Sequence, residues 1–216
     1  MKKLLLVLLF SSAYLIIAQT DPNLKWLHPT PQGNQIAWIK MWDDNNWYLG
    51  GDEGMFLKTS DAGKSWTSTN MAGWANPSYP GTYANNITQA CWFFDKNVGI
   101  AGGLGRGIVR TTDAGTTWDT IPIISGQGRI NAFSFINNNI GYLAGNALYG
   151  VMKTTDGGLT WAATPTPLPA STGYSIYASD ANNLIVCGAS GNVYISNDAG
   201  NNWTTNNIGS IYQITA

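Results

Sequence analysis

The carboxylates of this chain that could do acid–base chemistry are few, and four of them recur in one setting. Asp61, Asp113, Asp156 and Asp198 lie in Thr59-Ser60-Asp61-Ala62-Gly63-Lys64-Ser65-Trp66, Thr111-Thr112-Asp113-Ala114-Gly115-Thr116-Thr117-Trp118, Thr154-Thr155-Asp156-Gly157-Gly158-Leu159-Thr160-Trp161 and Ser196-Asn197-Asp198-Ala199-Gly200-Asn201-Asn202-Trp203. The carboxylate of such a motif can accept hydrogen bonds from the free amides of a tight turn. The glycine (Gly63, Gly115, Gly158, Gly200) supplies the positive φ that the turn needs. The indole opens the next strand and offers a broad face for packing between sheets. Four copies in register mark a repeated element of the fold. The other acids outside repeated turns are Asp21, Asp44, Asp52, Glu53 and Asp119, and they form no evident acid–base pair. His28, the sole histidine, has no cysteine or acid pattern around it to make a metal site. Gly102-Gly103-Leu104-Gly105-Arg106-Gly107 looks like a phosphate loop, but no helix comes after it to present its N-terminus, so it reads as an inter-strand loop. No catalytic residue, metal site or cofactor is expected.

The elements that hold these motifs are set by their spacing. The box aspartates fall 52, 43 and 42 residues apart (61 to 113, 113 to 156, 156 to 198), close to the period of a four-stranded propeller blade. Upstream, Asp43, Asp95, Asn137 and Asp180 fall in one column, and Asn45, Asn97, Asn139 and Asn182 in another, identical in all four. This Asp/Asn-x-Asn reads as a turn between first and second strands, with Asn suited to the left-handed region. Each unit is then strand, Asn turn, strand, Gly loop, strand, Asp box, strand. The expected fold is all-β: four-stranded antiparallel blades of a β-propeller over 35–70, 87–122, 130–165 and 174–207, within a domain of 19–216. Lys25 to Pro31 is patterned like Trp161 to Pro167, the stretch just after the third box, and is expected to be a closing fourth strand. With Ile211 to Ile214 resembling a first strand, the strand count predicts an incomplete ring; the alternative is a self-contained four-bladed ring with decorated ends.

These boxes resemble the Asp-box, or BNR, repeat, and the resemblance covers nearly all of the chain after its first residues. It implies that the boxes join third and fourth strands on the rim away from the ligand face, and that Asp61, Asp113, Asp156 and Asp198 are structural. Sialidase-, xyloglucanase- and sortilin-like propellers carry similar boxes, as do proteins similar to the photosystem II assembly and stability factor, the last widespread in bacterial secreted proteins. Sialidase chemistry resembles an arginine cluster with a Tyr nucleophile and Glu partner. Here there are three arginines, of which Arg110 shares the column of Lys58 and Lys153, and Glu53 is the only glutamate. The resemblance therefore favours a non-enzymatic binding or scaffold module; the alternative is a fragment of a xyloglucanase-like glycoside hydrolase, which uses two aspartates as acid and base.

Charged residues are only 11% of the chain and the net charge is −1, so no basic field exists to hold nucleic acid. Lys2-Lys3, the apolar run Leu4 to Phe10 and the patch Leu15 to Ile17 before Ala18-Gln19 read as a signal peptide over 1–18. The Ser11-Ser12 break makes that stretch short for an uncleaved anchor, and no later segment is long and apolar enough to span a bilayer. Secretion, a periplasmic location or the cell surface is the resulting expectation. Export would permit a Cys91–Cys187 disulfide. The columns argue against it: Cys91 shares a core column with Ile39, Phe133 and Ile176, and Cys187 a small-residue column with Gly50, Gly102 and Ala144, so both are expected to be buried free thiols.

The first inter-box interval is about ten residues longer than the others, with most of the excess in Met71 to Tyr83. That connection opens on the same face as the loops holding Asp52, Glu53, Arg106 and Tyr149. Loops on a rigid scaffold are where binding concentrates. Trp74, Tyr79 and Tyr83, with Glu53, Arg106 and Tyr149, are the candidate ligand face for a protein or carbohydrate; the alternative is a loop folded down as a lid.

Overall fold

The computed structural model divides the chain into Met1–Gly33 and Asn34–Ala216. It describes residues 35–71, 88–105, 107–121, 128–146, 150–169 and 172–209, all in the second unit. The expected signal peptide and closing strand lie outside the described residues, as do Ile211 to Ile214. So do Trp74, Tyr79, Tyr83, Arg106 and Tyr149.

The described residues form sixteen strands in four antiparallel groups of four, with no α-helix among them. The first blade is β1 (Ile36–Met41), β2 (Trp47–Gly51), β3 (Met55–Thr59) and β4 (Thr67–Asn70), hydrogen-bonded in that order. The second is β5 (Thr88–Phe93), β6 (Gly99–Gly105), β7 (Ile108–Thr111) and β8 (Asp119–Ile121). The third is β9 (Gly128–Phe135), β10 (Gly141–Gly145), β11 (Val151–Thr154) and β12 (Ala162–Ala163), and the fourth β13 (Gly173–Ala178), β14 (Leu184–Gly188), β15 (Asn192–Ser196) and β16 (Thr204–Asn207). This is the all-β propeller architecture that the box period predicts. One feature lies outside the repeat: the end of β6 also pairs with β9, through Leu104–Arg129 and Gly105–Gly128, tying the second and third blades together.

Alternation along each strand produces the seams between blades. In β3, Phe56 points to a cluster with Phe93, Ala101, Val109 and Trp118 of the second blade, whereas Met55 and Leu57 form a separate cluster with Leu49 and Trp66. Ile100 and Ile108 of the second blade pack with Phe133, Leu143 and Met152 of the third. Tyr142, Ala144 and Val151 of the third pack with Ile176, Val186 and Tyr194 of the fourth. Core clusters of the described residues thus link blades 1–2, 2–3 and 3–4, and none links the first blade to the fourth, as an incomplete ring requires. The outer strands of the first and fourth blades are polar: β4 reads Thr-Ser-Thr-Asn and β16 Thr-Thr-Asn-Asn. Threonine keeps β propensity while leaving little apolar surface on an unpaired edge.

Both cysteines are free. Cys187 is buried, but Cys91 is only half-buried, a correction to its expected burial. It lies on the inner strand β5, where its column is closed only as far as the preceding blade covers it. Desolvation by the surrounding core raises both thiols above their ordinary value, so both stay protonated near neutral pH.

Candidate functional site

Every box closes on itself by one network. The hydroxyl of Thr59, Thr111, Thr154 or Ser196 donates to its box carboxylate at 2.7, 2.9, 2.8 and 2.8 Å. The same oxygen accepts the amide of Gly63, Gly115, Gly158 or Gly200 at 2.8–3.0 Å. Four residues beyond each aspartate, the amides of Ser65, Thr117, Thr160 and Asn202 donate to one carboxylate oxygen at 2.8–2.9 Å. Their side chains donate to the other oxygen at 2.5–2.7 Å. Both oxygens of each carboxylate are therefore used within its own turn.

Electrostatics obey the same geometry. Hydrogen bonds from Ser65 hold Asp61, and those from Thr117 hold Asp113, near a pKa of about 2. Asn202 lowers Asp198, and at Asp156 the hydrogen bonds led by Thr160 outweigh the upward push of burial. Donors that favour the ionised form depress a carboxyl pKa. A general acid at neutral pH needs the opposite shift, so these groups are anchored anions.

The conformational requirement is larger than one glycine. Ala62 (φ 60°) and Gly63 (φ 80°) are both left-handed, as are Ala114–Gly115, Gly157–Gly158 and Ala199–Gly200. The residue before the glycine carries positive φ as well, because its amide must turn back toward the Asn turn. The amides of Ala62, Ala114, Gly157 and Ala199 donate to the carbonyls of Asn45, Asn97, Asn139 and Asn182 at 2.9–3.0 Å. Those four asparagines are not left-handed: among the described residues, positive φ at a non-glycine occurs only at Ala62, Ala114, Ser190 and Ala199. The expectation of an αL asparagine is corrected to a carbonyl contact. The turn itself is held by Asp43, Asp95, Asn137 and Asp180, whose Oδ1 accepts two amides each at 2.7–3.0 Å.

Boxes also lock neighbouring blades. Lys58 Nζ and Thr69 Oγ1 of the first blade donate to the carbonyls of Ala114 and Gly115 in the second box, at 3.3 and 2.8 Å. A Cβ on Gly115 would lie 2.2 Å from the Phe56 ring, and Trp118 packs edge-on against that ring with centroids 5.3 Å apart. The indoles Trp66, Trp118 and Trp161 donate back to their own box glycine carbonyls at 3.0–3.2 Å. Trp203 departs from the pattern. It donates to the Thr166 carbonyl (3.0 Å), while the Gly200 carbonyl accepts the Thr166 amide (3.2 Å), so the fourth box is latched to the chain leaving the third blade. Of the four box indoles only Trp118 is fully buried; the others are half-buried.

A recess of about 290 Å³ opens at this end of the first blade, lined by Asn46, Tyr48, Lys58, Thr59, Ser60, Ser65 and Thr67. Its polar groups already serve the seam: Tyr48 Oη donates to the Lys96 carbonyl at 2.8 Å, beside the Lys96–Asp43 ion pair.

At the opposite end stand the connections after β2, β6, β10 and β14. Asp52 and Glu53 sit in a 3-10 turn, Asp52–Gly54, with the Asp52 amide on the Gln35 carbonyl at 3.0 Å. One Asp52 carboxylate oxygen is buried without a protein partner, as is Nε of Arg129, whose backbone is clasped by Asn146. Of the candidate ligand face, only the backbone of Glu53 falls among the described residues. The residues that sequence reasoning missed are the donors Ser65, Thr117, Thr160 and Asn202; their signal was a hydroxyl or amide side chain before the tryptophan in every box.

Comparison with known proteins supports this architecture. The solved structures of YCF48 bound to D1 peptide and of YCF48 from Cyanidioschyzon merolae superpose with TM-scores of 0.60 and 0.59 at 16% identity each. The alignments cover 85% and 83% of this chain but 56% and 61% of theirs, so the chain spans little more than half their length. An ancestral GH74 enzyme gives a TM-score of 0.59 at 17% identity, covering 80% of this chain and 25% of its own. No curated protein matches the chain. The family model for the photosynthesis system II assembly factor YCF48 matches residues 81–215, more than half of the chain. With its repeated boxes and propeller blades, the chain belongs to that family.

Proposed function

We propose that this chain is an exported binding module that holds a peptide or protein segment on the end of the blades opposite the boxes. The observation that carries the reading is the saturation of the box carboxylates. All eight oxygens are engaged by their own turns, leaving the boxed end as scaffold. Recognition then belongs to the opposite end, where the connections differ and the long Met71 to Tyr83 segment brings Trp74, Tyr79 and Tyr83. A related structure carrying a D1 peptide supports a peptide as the ligand class. Aromatic side chains suit that task because they bury large area with little loss of freedom.

The test is capture of extracellular proteins by the immobilised full chain, run beside reducing-sugar release from xyloglucan and a host glycan panel. The proposal expects a protein captured by wild type and lost with Trp74→Ala/Tyr79→Ala, and no sugar released. Sugar release would replace it with the glycoside hydrolase reading. Export has its own check: N-terminal sequencing of the protein recovered outside the cell, expected to begin at Gln19.

A further inference from the structure

Each internal seam joins the trailing flank of one blade to the leading flank of the next through the same columns. On the leading side, Phe93, Phe135 and Ala178 are 6%, 8% and 6% exposed and share core clusters with the blade before. Met41 holds that column on β1 and is 55% exposed, with Ile39 beside it also open. On the trailing side, Met71 is wholly buried in the cluster that contains Phe93, its amide bonded to the Gly54 carbonyl at 2.8 Å. Ile208 has the same place in the fourth blade, its amide bonded to the Gly191 carbonyl at 3.0 Å, and is 61% exposed. Val193, in the column of buried Phe56, is only half-covered, and Tyr177 is exposed.

Among the described residues, the four blades therefore show the two halves of a seam that they close three times internally. The outer part of the first blade's flank, Leu49, Met55 and Leu57, is already buried, so the opening lies at the inner strand. The geometry points to head-to-tail self-association, with β1 of a second copy of this chain seated on the trailing flank of the fourth blade and Met41 beside Ile208 as Phe93 lies with Met71. The fit is continuous with the existing seams, since the required partner is a blade flank in this register and the described residues present one with its inner strand open. Its polar latches differ: Asn206 stands in the column of Thr69, whose hydroxyl donates to the second box. Ile195 stands in the column of Lys58, whose ammonium latches the next box carbonyl, so this contact rests on apolar burial without a cationic latch. Such an interface is heterologous: two copies close into a ring if the rotation permits, and otherwise an open chain grows.

Sedimentation velocity of the full chain across a concentration series tests it. Wild type should associate with rising concentration. Met41→Asp and Ile208→Asp should each remain monomeric at every concentration. Mixed in equal amounts they should form a dimer and nothing larger, because one variant keeps an intact trailing flank and the other an intact leading flank. A monomeric wild type, a single variant that still associates, or a mixture that stays monomeric would overturn the inference. Both positions are exposed, and circular dichroism checks the fold; should Ile208→Asp fail to fold, Tyr177→Asp on the same flank takes its place.

Discussion

At the boxed end, the amide before each box glycine reaches the same asparagine carbonyl in every blade, at 2.9–3.0 Å, whereas at the other end the four inner connections take three different courses. After β2 and β14 the chain makes 3-10 turns, Asp52–Gly54 and Ala189–Gly191; past Gly103 the strand β6 runs on to pair with β9; after β10 the Gly150 amide closes onto the Asn146 carbonyl at 2.7 Å. One end repeats because each turn must satisfy the same amides and the same carboxylate. The other varies because nothing in the seam geometry dictates its course. Stability should therefore concentrate at the boxed end and recognition at the opposite one.

The largest effect that would sharpen this contrast is at Trp118, the one fully buried box indole, set against Phe56 and Phe93. Trp118→Ala should cost about 3–5 kcal/mol in denaturant unfolding, and a neutral result would break the inter-blade role. A pair of glycines compares the ends directly. Gly115 at the boxed end has φ 77° with the Phe56 ring in the way, while Gly150 at the other end has φ 52° with nothing within 4 Å. Gly115→Ala should combine roughly 1–2 kcal/mol of left-handed strain with roughly 1–3 kcal/mol of overpacking, and Gly150→Ala should show only the strain. Equal melting shifts would contradict the comparison.

Thr111→Val keeps shape and removes the hydroxyl that holds Asp113 and the Gly115 amide; it should destabilise by about 1–3 kcal/mol. Acid supplies a smaller, distributed effect. The box carboxyls have lowered pKa values in the folded chain, so their contribution is complete above the unfolded value near ~4 and fades as pH falls toward about 2. The melting temperature should be flat from about pH 5 to 7 on their account and fall across that acid window, less steeply in Asp113→Asn.

Much of the boxed end was legible from residues alone. Thr-x-Asp-x-Gly-x-x-Trp displays its carboxylate acceptor, its flexible glycine and its packing indole in chain order, while the donors four residues after the aspartate stand at a variable position. Hidden from the residue types was anything carried by the backbone. The left-handed Ala62, Ala114 and Ala199 look ordinary as alanines, because the strain they bear is offset by an amide–carbonyl bond no side chain advertises. The asparagine column was visible, but its use of a carbonyl was not, and the chemistry of the side chain suggested αL instead. Cys91 looked like core because its column is apolar, yet its cover depends on how far the first blade reaches over β5. The β6–β9 pairing has no sequence signal, since glycine-rich Gly102 to Gly107 permits strand or loop equally. The proposed recognition segment, Met71 to Tyr83, stood out in the residues only as an irregularity in length, which names no ligand.

The smallest expected effect completes the contrast: if the Met71 to Tyr83 segment serves recognition and not packing, Trp74→Ala/Tyr79→Ala should leave stability within about 0.5 kcal/mol of wild type. The decisive measurement is the urea midpoint of that double variant against Asp113→Ala, each relative to wild type. A clear loss for Asp113→Ala with the double variant unmoved is the predicted result. A midpoint that falls for the aromatic pair and holds for the aspartate would contradict the division of labour between the two ends.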